Sequence, residues 1–553
     1  MKRYLITLAT LFLFHVGFSQ QTVGLFFNDS TSYNGYTLFA PGATTNTYLI
    51  DNCGNIVNQW SASTTNPGAS VYLLENGNLL RTGRVSGNFN GGGAGGRIEI
   101  FSWDDELLWS YDYAEFEFHH HHDVAYMPNG NILLIAWVLK TSTEADQAGR
   151  NPALSNDAVW SEQVIELQPI GTDEAEIVWE WNLWDHLVQD FDPTKPNYGV
   201  VSEHPELMNL NFAMTQNKDW IHLNSINYNA DLDQIILSSR HTSEIYVIDH
   251  STTTAEAATH SGGNSGKGGD FLFRWGNPQA YDRGTQNDRK LFGQHDAKWI
   301  PQGYPNEGKI MTFNNGWQRP GGSYSSVDII EPPFENNAYT ISTNEAFEPN
   351  NLFWTYEANP PTSMYSPNIS GAQPLPNGNT LICVGREGNF YEVTPTGTIV
   401  WHYKMPVSNN GPVAQGTVLS NFNIFRATRY GEYYPAFEGK DLTPGDPVEL
   451  NPLPSTCEIY ETPSNTNNLQ KLQNIKIHNN PFTESLLIEN LTNEEVIIEV
   501  FDLMGRKMSQ RISKDTAIEI ATQGWADGVY LVYIQNMDRN KFFSQKAVKT
   551  NHN

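Results

Sequence analysis

One phrase recurs along this chain and limits what it can fold into. An apolar strand runs into Asn-Gly-Asn and out again into a second apolar strand. It reads VYLLENGNLL at Val71–Leu80, VAYMPNGNILLI at Val124–Ile135 and AQPLPNGNTLIC at Ala372–Cys383. Looser copies are Ile226–Ser238 and Ala297–Phe313. A tight hairpin turn needs residues that tolerate positive φ, and Asn-Gly supplies them. A second phrase follows each first one: strand, turn, then a strand ending in Trp. Examples are Ile98–Trp109, Val164–Trp179, Ile245–Trp275, Val327–Trp354 and Tyr391–Trp401. Each pair of phrases makes one four-stranded antiparallel sheet, which is the composition of a β-propeller blade.

Five complete pairs span residues 69 to 407. A sixth is assembled from the two ends, with Tyr48–Trp60 as a second phrase and Val418–Arg429 as its missing strands. Joining the ends in one sheet closes a ring without free edges. The expected fold is all-β, a six-bladed β-propeller over residues 20–440. Fourteen of the 15 Trp precede residue 441, as expected if they pack between blades. Long amphipathic helices are missing, with Leu183 to Asp190 the best short candidate.

The ends of the chain speak to export. Lys2 and Arg3 precede an apolar run from Tyr4 to Phe14, and small residues at Gly17 and Ser19 precede Gln20. Residues 1–19 therefore read as a signal peptide. No later segment has the roughly 18 consecutive apolar residues needed to span a bilayer. Cys53, Cys383 and Cys457 allow one disulfide between distant elements and no disulfide framework. Residues 441–473 turn to Pro, Asn, Thr and Ser and read as a linker. Strand-and-turn segments then fill residues 474–553, which suits a small β-sandwich. This stretch closely resembles the C-terminal sorting domain of the type IX secretion system of Bacteroidetes. The resemblance is carried by Asn480-Pro481-Phe482, Phe501-Asp502 with Gly505-Arg506, Gly528-Val529-Tyr530 and the basic end Lys546 to Lys549. It implies the type IX machinery as a partner, passage across the outer membrane, removal of the tail, and release or surface attachment.

Propellers place chemistry where first strands converge on a central channel. Three first phrases begin with histidine: His122-Asp123, Trp220-Ile221-His222-Leu223-Asn224-Ser225, and Gln294-His295-Asp296. Equivalent strands point to one axis, so these imidazoles are expected to meet. Arg240, in Ser238-Ser239-Arg240-His241, lies on the return strand of the His222 sheet. Alternation puts Arg240 and His241 on opposite faces, and Arg240 is taken as the inward one. In the run His119 to His122, His122 is preferred because its His-Asp matches His295-Asp296, with His121 as the fallback. Asp123 and Asp296 orient their imidazoles or bond the backbone, the second reading being favoured. A histidine at a strand start is more often a satisfied core residue, and recurrence is what lifts these three above that reading. His and Arg together donate to tetrahedral oxyanions, and a neutral imidazole can carry a transferred group. Gly266-Lys267 is followed by Gly268 and makes no phosphate loop. There is no Gly-x-Ser-x-Gly elbow, and the cysteine contexts do not suit a formylglycine sulfatase.

These residues resemble the bacterial arylsulfotransferases, which move sulfuryl groups between phenols without phosphoadenosine phosphosulfate. The match runs through His122-Asp123, Asp219-Trp220-Ile221-His222-Leu223-Asn224-Ser225, Ser238-Ser239-Arg240-His241, and Gln294-His295-Asp296 with Asn314-Asn315-Gly316. It covers residues 36 to 430. It implies a ping-pong reaction between an aryl sulfate donor and a phenolic acceptor, with no cofactor and no metal. His295 would become sulfohistidine; His122, His222 and Arg240 would hold the sulfuryl oxygens. Asn224, His121 and Asn315 would lie nearby. Ser370, which begins the fifth first phrase, is added as an axial polar group by blade equivalence. Relatives carry an N-terminal β domain that aids dimer formation. Here only a short stretch precedes Tyr36, which leaves the oligomeric state open. Two alternatives stand beside this reading. One is a non-catalytic propeller binding glycan or protein through loops such as Ser86–Gly96. The other is a metal-dependent hydrolase or lyase with the histidines as ligands. The formal charge of −28 disfavours nucleic acid and anionic membrane as partners.

Overall fold

In the computed structural model the described residues are 21–154, 158–214, 217–420, 422–460, 470–471, 474–492, 494–502, 506–537 and 541–550. The expected signal peptide, residues 1–19, and Gly505 of the sorting motif lie outside them. The chain divides into two compact units, Met1–Tyr460 and Glu461–Asn553, and both are all-β.

The first unit is built on six antiparallel sheets. In chain order, the first holds Pro67–Leu73, Leu79–Arg84, Gly96–Phe101 and Leu107–Asp112. The second holds Phe118–Tyr126, Ile132–Thr141, Ala158–Ile170 and Glu174–Asn182. The third holds Leu223–Asn229, Gln234–Ser239, Glu244–Asp249 and Phe273–Trp275. The fourth holds His295–Trp299, Ile310–Asn314, Ser326–Ile330 and Trp354–Glu357. The fifth holds Gly371–Pro374, Thr380–Val384, Asn389–Val393 and Ile399–Lys404, and gains Gly24–Asn28 as an edge strand on Ile399–Lys404. The sixth joins the chain ends: Ile424–Gly431 pairs with Gly35–Pro41, followed by Thr47–Ile50 and Ile56–Trp60.

The first strand of each sheet packs against the first strand of the next, and that of the sixth returns to that of the first. Apolar side chains fill the space between consecutive sheets. Leu133, Ile235 and Leu237 share one such core, and Phe39, Phe390 and Trp401 share another. The repeated Trp has a specific task here. Trp60, Trp109, Trp179, Trp275, Trp354 and Trp401 each donate their indole N–H to the following sheet or its connections. The acceptors are Ser102 O, Glu174 O, Thr252 Oγ1, Pro349 O, Pro395 O and Asn52 O. A buried indole needs such a partner, so one residue type supplies both apolar filling and a latch.

One expectation is corrected. Leu183 to Asp190 forms only a single turn, Leu183–Asp185, before Leu187–Val188 pairs with Met208–Asn209. The first half of the expected linker is fastened to the first unit. Val448 is buried in its core, Gly445 N donates to Ile56 O, and Cys53 is bonded to Cys457. Composition reads as linker because it lacks long apolar runs, while the fastening comes from one disulfide and a few backbone bonds.

In the second unit, Lys541–Lys549, Gly528–Asn536, Val496–Asp502 and Lys507–Ser513 form one sheet with Gln470–Lys471, and Ile475–His478, Ser485–Asn490 and Ala517–Ala521 form another. Phe482, Leu486, Ile498, Ile518 and Val532 share its core.

Candidate active site

The starts of the first strands are kinked. His122 (φ 56°), His222 (φ 55°) and Asp296 (φ 62°) sit in the left-handed region, as does Ser370 (φ 83°) before the fifth sheet. L side chains rarely adopt this conformation, and it persists where the surroundings enforce it. The three ladders beside the histidines also slip: between Leu134 and Ala136, Leu223 and Ser225, and His295 and Lys298. Such irregularities re-aim side chains, which is why simple alternation fails here.

The result is a cavity of about 500 Å³ lined by His122, His222, Arg240 and His295 together with Asp219, His241, Trp160, Ile369 and others. His241 lines it alongside Arg240 because the strand ends at Ser239; alternation does not extend into the turn. The remaining residues singled out from sequence stand behind this lining. His121 is buried between His122 and Glu162. Asn224 donates to Gln294 O. Asn315 holds His295. The Ser370 hydroxyl donates to Ser366 Oγ and accepts from Gly385 N, so its capacity is used in fastening strands, not in facing the cavity.

His295 has a defined tautomer. Asn315 Nδ2 donates to Ser366 O and Ile369 O, so its Oδ1 is left as an acceptor. That oxygen lies 2.8 Å from His295 Nδ1, with Gly293 O at 3.2 Å. Nδ1 therefore carries the proton. Nε2 holds a lone pair and accepts from the Ile369 N–H at 3.2 Å. Burial, then Arg240, pushes this imidazole well below its usual pKa, so the ring is neutral at pH 7.

His122 is fixed through a buried row. Its Nδ1 is 2.8 Å from His121 Nδ1, and His121 Nε2 is 2.9 Å from Glu162 Oε2. Burial raises the Glu162 carboxyl well above its ordinary value and, with His222, lowers both imidazoles. With Glu162 protonated, the row runs from Glu162 to His121 to His122 and leaves His122 to present Nε2–H. The glycine loop explains how this ring is reached: Gly93 O accepts from the His122 N–H, and a Cβ on Gly93 (φ +78°) would lie 2.1 Å from His122 Nε2. His222 gives Nδ1–H to Asp219 Oδ2 at 2.6 Å. Burial raises the Asp219 carboxyl, but His222 and the other neighbours outweigh it and hold it below its usual value.

Arg240 stacks over Trp317 at 4.9 Å, and burial lowers its pKa. One residue along the strands, Asp123 and Asp296 turn away from the imidazoles. Asp123 accepts from Val124 N, Ile226 N and the Tyr72 hydroxyl, and Asp296 accepts from Ala372 N. Both clamp Arg426, at 2.7 Å and 3.0 Å. Sequence reasoning missed Arg426, Glu162 and Ile369. Arg426 could have been suspected as one of two arginines in the strand Ile424–Gly431; the other two carry no local signal.

Residues 25–423 match the arylsulfotransferase family, and residues 476–549 match a secretion system C-terminal sorting domain. No curated protein matches the chain. Among solved structures, a protein of unknown function from Bacteroides caccae is 11% identical, covering 72% of this chain and 100% of its own at a TM-score of 0.40. The periplasmic gluconolactonase of Pseudomonas aeruginosa is 10% identical over 88% and 99%, with a TM-score of 0.32. Streptogramin B lyase is 13% identical over 74% and 96%, also at 0.32. The type IX secretion sorting domain directs the chain to the cell surface or beyond. With the family model spanning most of the chain and every strand that brings His122, His222, Arg240 and His295 to the cavity, this protein belongs to the arylsulfotransferase family.

Proposed function

We propose that the chain transfers a sulfuryl group from an aryl sulfate to a phenol in two steps, through a sulfohistidine on His295. The observation that carries this reading is the neutral His295. Its Nδ1–H is held by Asn315, and its ring lines the same cavity as His122, His222 and Arg240. In the first step Nε2 attacks sulfur, the S–O bond to the aryl group breaks, and a phenolate leaves. The Ile369 N–H, released from Nε2, is then placed to donate to a sulfuryl oxygen. His122 Nε2–H and Arg240 meet the charge on the sulfuryl oxygens, as preorganised donors do in phosphoryl transfer. In the second step a phenol oxygen attacks sulfur, the N–S bond breaks, and His295 is regenerated. Asp219 behind His222 is the arrangement of a base and its orienting carboxylate, so His222 also accepts the incoming phenol's proton.

The six sheets are read as six propeller blades, supported by the closed cycle of first strands and by the Trp latches. Residues 20–440 and 474–553 are proposed as the catalytic propeller and a sandwich-like sorting domain that is removed after export.

The test incubates the protein with phenyl sulfate and examines it by mass spectrometry. A sulfo group on His295, discharged by added phenol, is the expected result; folded protein with neither adduct nor acceptor-dependent turnover refutes the reading. A second reading draws on Asp219, His222 and His241, whose ligand atoms lie within 4.8 Å of one another. It makes the chain a metal-dependent hydrolase or lyase. Stoichiometric metal in tag-free protein, with activity lost to chelation, would favour it.

A further inference from the structure

Four cations line the candidate active-site cavity: Arg84, Lys218, Arg240 and Arg386. They arrive from separate places. Arg84 ends a strand of the first sheet, Lys218 precedes the third, Arg240 follows Ser239, and Arg386 follows the strand Thr380–Val384. Among the described residues none of the four forms an ion pair with a carboxylate. Asp219 is the one carboxylate in the lining, and it is taken by His222 and Trp137. The fully buried Arg81, Arg274 and Arg429 are paired with Glu99, Glu244 and Glu392, whereas Arg84 and Arg386 are exposed and Lys218 and Arg240 half-buried. A chain of net charge −28 has ample acid to neutralise these four and does not.

A sulfuryl group in transfer is served by His122 and Arg240. Arg84, Lys218 and Arg386 are therefore surplus to a substrate carrying one negative charge. Two of them are also held in place without being used up. Arg386 Nε donates to Asn368 Oδ1 at 2.7 Å, and Lys218 lies over the Trp160 ring at 4.8 Å. Arg84 also lines an adjoining cavity of about 800 Å³, which shares Asn90 and the glycines 91–93 with this one, so there is room beyond one aromatic ring. Guanidinium groups that line a cavity without a carboxylate partner are placed to take an anion.

Building on the sulfotransferase reading, we infer that the preferred donor is an aryl sulfate with a second anionic group, a carboxylate or a second sulfate ester, held by Arg84, Lys218 and Arg386. Three donors separate the possibilities: phenyl sulfate, 4-carboxyphenyl sulfate and 1,4-phenylene disulfate, each with the same neutral phenol as acceptor. Wild type is compared with Arg84→Gln, Arg386→Gln and the double variant, with folding checked by circular dichroism. The expected result is a kcat/KM about tenfold higher for a doubly charged donor, the worth of one charge-assisted hydrogen bond. The double variant should erase that preference while leaving phenyl sulfate within about twofold. The ratio between the two arms tells carboxylate from sulfate as the second group. Equal rates for all donors in wild type, or a double variant that slows every donor alike, overturns the inference and leaves only general steering of anions. Calorimetric binding of the three donors to His295→Asn runs in parallel. If wild type turns over no donor, the sulfotransferase reading fails, and the binding preference still decides the claim about the second anion. Should the double variant misfold, the single variants and the salt dependence of the wild-type preference decide it.

Discussion

The cavity and the charged cluster next to it are made from neighbouring residues of the same strands, yet they are finished differently. In the cluster, Asp123, Asp296 and Arg426 satisfy one another and the backbone. Burial alone would lower the Arg426 pKa, but the two carboxylates outweigh it and raise it. In the cavity, one residue earlier on the strands for His122 and His295, imidazoles and cations are left facing open space. Closing every charge makes a joint, and leaving some unclosed makes a site.

Substitutions can break that comparison, beginning with the largest effect. His295→Ala should remove essentially all transfer, by about 10³-fold or more, in acceptor-dependent assays, while leaving the melting temperature near wild type. Arg426→Met should do the reverse, costing about 3–5 kcal/mol of stability by stranding the buried Asp123 carboxylate and leaving Asp296 with Lys298 alone, as read by denaturant unfolding. Arg240→Ala should cost about 2–4 kcal/mol in kcat/KM, the value of a lost oxyanion donor, with little change in unfolding. Asn315→Ala should lower kcat by about 10–100-fold through loss of the fixed tautomer, as for outer partners of other working imidazoles. The smallest effect is in pH. His121, His122 and His295 are lowered well below the usual imidazole value. The unfolded chain then takes up protons before the folded one. Stability should be full above about pH 6.5 and fall progressively below it, and thermal melts across pH 5–8 would check this. Loss of stability on raising the pH through this range would contradict the burial of neutral rings.

Much of this was legible in the residues. The Asn-Gly turns and recurrent Trp mark the sheets, because strand alternation and tight turns are local properties. The pairing of the chain ends followed from an incomplete phrase at each end. Three histidines at equivalent strand starts were identifiable by recurrence alone. The type IX sorting motif was readable for the same reason, since its residues keep a linear order.

What sequence could not supply is direction and partnership. The run His119 to His122 offers four equivalent imidazoles, and only the left-handed kink at His122 turns one ring into the cavity. His241 enters beside Arg240 because a strand ends where alternation would have continued. Arg426 meets Asp123 across 303 residues of chain, and the cavity cations come from four separated segments. Local preference therefore determined the strands, turns and repeated histidines. Which charges are neutralised and which remain open was decided by tertiary closure, because an ion pair forms through space between side chains that no sequence spacing relates.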